Sequence, residues 1–94
     1  MREPLDTHQI TSALEDLPGW RHESDALHRS FEFADFRQAV AFIVRVAFEA
    51  EQRDHHPELT NVYNRVQIAL TTHDAGNRVT AKDVELAAAI GRVA

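Results

Sequence analysis

The chain has 94 residues, enough for one domain that buries about 60–70% of the surface its unfolded form exposes and too few for a second core. Acidic side chains outnumber Lys and Arg by 15 to 10, a formal charge of −5. That balance argues against a phosphate backbone as the main partner, because direct nucleic-acid binding depends on cationic side chains. No cysteine is present, which excludes disulfides, thiolate metal sites and cysteine nucleophiles.

Met1–Thr7 is polar with no apolar core behind it, unlike a secretory signal. No apolar run approaches the roughly 20 residues of a membrane span, so the expectation is a cytoplasmic protein without a membrane partner. Six histidines stand out: His8, His22, His28, His55, His56 and His73. Imidazole titrates near neutrality when unperturbed, so chemistry is sought there first.

In chain order, Asp6 and Gln9 have capping-box spacing. Ile10, Ala13, Leu14 and Leu17 then mark a short helix over about Thr7–Leu17, stopped by Pro18-Gly19. Trp20–Glu23 and Ala26–Phe33 flank a turn at Ser24-Asp25 and predict a β-hairpin. Asp35 with Gln38 opens the strongest helix, which ends near Arg53. Phe36, Val40, Ile43 and Ala47 form its predicted central stripe, with Ala39, Phe42 and Val46 beside them and Val44 and Phe48 on the opposite flank. So narrow a polar face predicts packing on a sheet and contact with something further, a partner subunit or a deep core. Asn61–Thr72 alternates and predicts one long strand, with Val62, Asn64, Val66, Ile68 and Leu70 on one face. A turn at Asp74–Asn77, a short return strand at Arg78–Thr80 and a helix opened by Thr80 and Asp83 complete the chain. The order α-β-β-α-β-(β)-α, without strict βαβ alternation, predicts an α+β fold with helices packed on an antiparallel sheet.

The candidate chemistry lies between Glu51 and Asp83. Pro57 keeps His56 out of helical conformation, so His55 and His56 are expected on a loop just past a helix end. Glu51, one helical turn before His55, is placed to orient that imidazole. His73 stands at the far end of the predicted strand, followed by Asp74. Three imidazoles on one rim of the sheet would supply a proton donor, a proton acceptor and a binding group. Competing readings are solvated loop histidines and a metal site drawn from Glu51, His55, His56 and His73. No ligand pair shows the His-Glu-x-x-His spacing of a helix-borne zinc site. Neither a Gly-x-Ser-x-Gly elbow nor a phosphate-cradling glycine loop is present. His8, His22 and His28 receive no role.

Glu51-x-x-x-His55-His56-Pro57 followed by Tyr63, His73 and Asp83 resembles the signature of the pterin-4α-carbinolamine dehydratases. Asn61–Val66, Gln67–Thr72 and Thr72–Gly76 resemble that family too, as do Gly19-Trp20, Leu27-x-Arg29-x-Phe31-x-Phe33 and the Phe36–Ala50 helix. The resemblance spans about Leu5–Ile90 within one domain, residues 1–94. It implies a four-stranded antiparallel sheet with helices on one face, and a homodimer or homotetramer. The implied reaction is dehydration of 4a-hydroxytetrahydropterin to quinonoid dihydropterin, in recycling of the cofactor of aromatic amino-acid hydroxylases. Pterin is then the substrate, with no cofactor and no metal.

By the same resemblance His55 and His73 are the acid/base pair, His56 binds substrate and Glu51 orients His55. Pro57 and the segment Thr72, His73, Asp74, Ala75 line the pterin site. Tyr63 and Asp83 match the signature, with packing and helix capping as their plain alternatives. Many members carry an aromatic pair where this chain has Leu59-Thr60, so ring stacking on the pterin is expected to be weaker here. Some animal relatives act as dimerisation partners of a homeodomain transcription factor, so the alternative function is a non-catalytic assembly module.

Overall fold

The structure, a computed structural model, describes residues 3–94, and the reading of Met1 and Arg2 as part of a polar start lies outside the described residues. Its elements are α1 (Thr7–Leu14), β1 (Arg21–Glu23), β2 (Ala26–Glu32), α2 (Phe36–Gln52), β3 (Glu58–Val62), β4 (Arg65–Leu70) and α3 (Ala81–Val93). A single 3-10 turn, His73–Ala75, lies between β4 and α3. The strands form one antiparallel sheet in the order β1-β2-β4-β3. The α+β class and the α-β-β-α-β-β-α order are therefore those expected.

Local signals act where the sequence places them. Asp6 and Gln9 close a reciprocal capping box at α1, and Thr80 and Asp83 close another at α3. Asp35 accepts from the Gln38 amide at the start of α2. Ser24 and Asp25 both have positive φ, so a two-residue loop joins the paired residues Glu23 and Ala26, the geometry that matches strand twist. At Gly19 φ is +87°, a left-handed conformation that favours glycine before Trp20.

Four expectations are corrected. α1 ends at Leu14, not Leu17, because Asp16 and Leu17 donate to carbonyls only three residues back. The core face of α2 is Ala39, Phe42, Val46 and Ala50, whereas Phe36, Val40, Val44 and Phe48 are exposed. The Asn61–Thr72 strand is two strands: Tyr63 takes φ +52° and the chain reverses there, pairing Val62 with Arg65 and Glu58 with Ala69. A two-residue turn flips the facing parity, so Val62 lies on the opposite face from Val66, Ile68 and Leu70. The fourth strand is thus Glu58–Val62, and the proposed return strand Arg78–Thr80 reduces to one bridge between Thr72 and Arg78.

One sheet face, carrying Leu27, Phe31, Val66, Ile68 and Leu70, packs with Phe42 and Val46 of α2 and Leu86 and Ile90 of α3. Phe42 is fully buried with its ring centroid 4.7 Å from Phe31 and 4.9 Å from Phe33. At about 25 cal/mol per Å² of apolar surface, a buried phenylalanine contributes roughly 2–3 kcal/mol, so this cluster rather than helix propensity holds α2 on the sheet. The other sheet face presents Ser30, Thr60, Arg65 and Gln67 and carries no helix. Among the described residues, no helix is long and apolar enough to cross a membrane.

Candidate active site

Three connections meet at one end of the sheet: the Ser24-Asp25 turn, the link from α2 to β3 and the link from β4 to α3. The β3–β4 hairpin starts after His56-Pro57 and returns to Thr71–His73, so residues far apart in sequence are neighbours through the Glu58–Ala69 pair. The Ser24-Asp25 turn reaches the same end, because β2 runs beside β4 with Leu27 opposite Leu70. Thr71 Oγ1 lies 3.5 Å from the Asp25 carbonyl there.

α2 delivers His55 through its C-terminal cap. Asp54 takes a positive φ of +50°, its amide bonds the Glu51 carbonyl, and the His55 amide bonds the Ala50 carbonyl. This double bond pattern is a Schellman cap, with aspartate standing where glycine is usual. It turns His55 inward, where the residue is 8% exposed.

His55 Nε2 lies 2.6 Å from Oδ1 of Asp83, a carboxylate with no solvent exposure. The other oxygen, Oδ2, accepts from Thr72 Oγ1 at 2.7 Å and from the Thr80 amide at 2.8 Å, and the two threonine hydroxyls are 2.7 Å apart. A carboxylate only accepts, so Nε2 carries the proton and donates it to Asp83. In the neutral ring Nδ1 is then the nitrogen left for chemistry. Contacts this short to an ionised acceptor are about twice as strong as neutral ones. Asp83 thus completes the capping box of α3, whose N-cap is Thr80, and also anchors His55.

Glu51 is corrected in its role. Its Oε1 accepts from His56 Nε2 at 3.0 Å, not from His55, because the Schellman turn carries His55 under the helix end and leaves His56 outside. That pair is well exposed, so it fixes orientation and adds little stability. His73 begins the 3-10 turn, with Nδ1 3.3 Å from Asn77 Oδ1.

A cleft of about 330 Å³ brings together His55, His56, Thr72, His73 and Asp74, with Lys82 on its wall. A second cleft, of about 530 Å³, shares His56, Thr71 and His73 with the first and adds Pro57. Of the expected lining residues, Ala75 belongs to neither cleft. Tyr63 sits exposed at the opposite end of the β3–β4 hairpin, so it neither packs nor reaches the imidazoles. Leu59 pairs with Ile68 on the core face, and Thr60 pairs with Gln67 on the open face. Position 59 therefore feeds the core rather than the site. Among the described residues, no group of three or more His, Asp or Glu side chains is placed to hold a metal ion. Lys82 and the anchoring role of Asp83 were missed in the sequence; the signals for the latter were its place in a capping box and at the end of the Glu51–Asp83 signature.

The model of the family described as pterin 4 alpha carbinolamine dehydratase matches residues 3–93. The chain belongs to this family. A relative from Opitutus terrae is 58% identical over 78 residues, covering 83% of this chain and 80% of its own length. Another, from Rhizorhabdus wittichii, is 51% identical over 94 residues, covering 98% and 96%. Both are provisionally named pterin-4-alpha-carbinolamine dehydratases. A crystal structure of a transcriptional coactivator/pterin dehydratase from Brucella melitensis superposes with a TM-score of 0.93 at 39% identity, covering 98% of this chain and 99% of that one.

Asp83→Ala strands a buried imidazole N–H, a hydroxyl and a backbone amide together. Breaking such a buried charged network costs about 3–5 kcal/mol. At roughly 4–8 °C per kcal/mol for a domain of this size, thermal unfolding measured by circular dichroism falls by at least about 12 °C.

Proposed function

We propose that this chain dehydrates a 4a-hydroxytetrahydropterin to the quinonoid dihydropterin, with His55 and His73 as general acid and base. The observation that carries the proposal is the single cleft into which the end of α2 and the end of β4 present His55, His56 and His73. The C4a–O bond breaks as a proton is delivered to the departing hydroxyl, and a proton leaves the adjacent N5 as the C4a–N5 double bond forms. Water and the quinonoid product account for every atom. One imidazole on either side of the ring suits this exchange, and positioned acid–base groups typically contribute about 10²–10⁴-fold. His55 works through Nδ1, since Asp83 holds Nε2–H. His56, steadied by Glu51, binds the substrate, and Asp74 and the Thr72 backbone line the ring. No metal or cofactor takes part in the dehydration, and the dihydropterin product rejoins the tetrahydropterin pool that aromatic amino-acid hydroxylases use only after a separate two-electron reduction. The reading includes a cytoplasmic location.

The test follows freshly generated 4a-hydroxytetrahydropterin by ultraviolet absorbance. Wild-type protein accelerates its dehydration, chelator-treated protein does so equally, and His55→Ala/His73→Ala loses at least about 100-fold of the acceleration. Wild-type turnover no faster than background, or a double variant as active as wild type, defeats the proposal.

The same proposal includes a homo-oligomer, dimer or tetramer. Phe36, Val40, Val44 and Phe48 recur every four residues along α2 and form an exposed apolar stripe, with Phe48 71% exposed. The Brucella melitensis neighbour is named a coactivator as well as a dehydratase, and this stripe is the feature here that favours an assembly role beside catalysis. Light scattering at micromolar concentration should give a dimer or tetramer for wild type and a smaller species for Phe48→Glu. A monomeric wild type contradicts it.

A further inference from the structure

Two sequence features that the dehydratase chemistry does not use, Gly19-Trp20 and Arg29, meet on the helix-covered side of the sheet. Arg29 alternates with the buried Leu27 and Phe31 along β2, so its side chain starts on the core face, where a cation is unusual. It passes between two glycines. A Cβ would stand 2.7 Å from its Nε at Gly19 and 3.6 Å from its Nη1 at Gly91, in the last turn of α3. Its Cζ lies 4.3 Å from the centre of the Phe31 ring, a cation–π contact that leaves the N–H donors at the guanidinium edge available. Among the described residues no acid pairs with it.

The guanidinium borders a cleft of about 340 Å³ between the link from α1 to β1 and the end of α3. No histidine lines this cleft. Arg92 is nine residues beyond Asp83 on α3, about 13–14 Å along the helix, so the cleft is separate from the imidazole site. Leu17, Pro18, Ala87 and Ala88 give it apolar walls. Trp20 also lines it, is 7% exposed, and has an Nε1 with no hydrogen-bond partner among the described residues, an uncommon state for a buried donor.

The cleft thus combines unused donors with apolar walls. Its charged lining is Arg29 and Arg92 against Asp16, which leaves one net positive charge and suits a monoanion better than a dianion. A planar guanidinium edge matches the two oxygens of a carboxylate, and the walls accept a hydrocarbon body behind it. We propose that this cleft binds a small apolar monocarboxylate, with its carboxylate on Arg29, its body against Leu17, Pro18 and Ala88, and the Trp20 indole N–H as a second donor. This site does not depend on the dehydratase reading.

Trp20 is the only tryptophan of the chain, so its fluorescence and its indole ¹H–¹⁵N resonance report on this cleft. The probes are cyclohexanecarboxylate, its uncharged counterpart cyclohexylmethanol, and inorganic phosphate. Cyclohexanecarboxylate should give a saturable fluorescence change with a Kd at least about tenfold below that of either other probe, and should move the indole N–H downfield. Arg29→Gln removes the charge-assisted bonds, so Kd should rise at least about tenfold, with circular dichroism reporting that the variant is folded. Gly91→Leu, at an exposed helix position, covers Nη1 without touching the arginine and should abolish saturation, which keeps the test decisive if Arg29→Gln does not fold. No saturable response to cyclohexanecarboxylate, equal affinity for the alcohol, tighter binding of phosphate, or binding unaltered in Gly91→Leu or in folded Arg29→Gln overturns the proposal.

Discussion

A carboxylate with no exposure to water holds the site and the fold together. Asp83 spends one oxygen on the His55 ring and the other on Thr72 and the Thr80 amide. The buried polar side chains among the described residues are His55, Thr72, Thr80 and Asp83, and all four belong to this one network. Burying a charge in apolar surroundings is costly unless it is paired and hydrogen-bonded, so the three donors must be supplied together. They come from three places: the turn after α2, the second residue past β4 and the start of α3. The network therefore fixes where those segments stand relative to one another, and the histidine it fixes is the one assigned to proton transfer.

Around that anchor, the hairpin sets the distances. Because β3 starts just after Pro57 and β4 ends just before Thr71, His56 and His73 line the same clefts despite their separation in sequence. The convergence needs no long loop, only Tyr63 accepting a positive φ at the far end. Asn61 Nδ2 supports that end by donating to the Tyr63 and Arg65 carbonyls, and Asn64 bonds Phe33 in both directions. The Asn-Val-Tyr-Asn run is thus turn chemistry, and its place in the signature reflects how the histidines are brought together rather than a contact with them.

Capping residues and periodicity made much of the fold legible. Asp6, Asp35 and Thr80 mark helix starts, and Ser24-Asp25 marks a hairpin. What failed did so for definable reasons. The β3–β4 turn contains no glycine or proline and interrupts an alternating run, so a period-two pattern reads straight through it. The core face of α2 centres on Ala39, Phe42 and Val46, beside the predicted central stripe rather than on it, because apolar residues surround the helix and leave little contrast to fix the inward direction. Within the site, His55, His56 and His73 were visible as a set, and they do line one cleft. The exchange of partners, Asp83 for His55 and Glu51 for His56, was not visible, because the Schellman cap at Asp54 depends on an aspartate in a conformation that sequence spacing does not report.

The central claim is that Asp83 fixes the protonated nitrogen of His55 and leaves Nδ1 for the substrate. Long-range ¹H–¹⁵N correlation spectra of histidine-labelled protein test this directly. With His55 in its neutral form, Nε2 should carry a slowly exchanging proton and Nδ1 should resonate as a bare nitrogen, and Asp83→Asn should abolish that fixed pattern. A proton on Nδ1, averaging between tautomers, or a spectrum unaltered by Asp83→Asn would contradict the account.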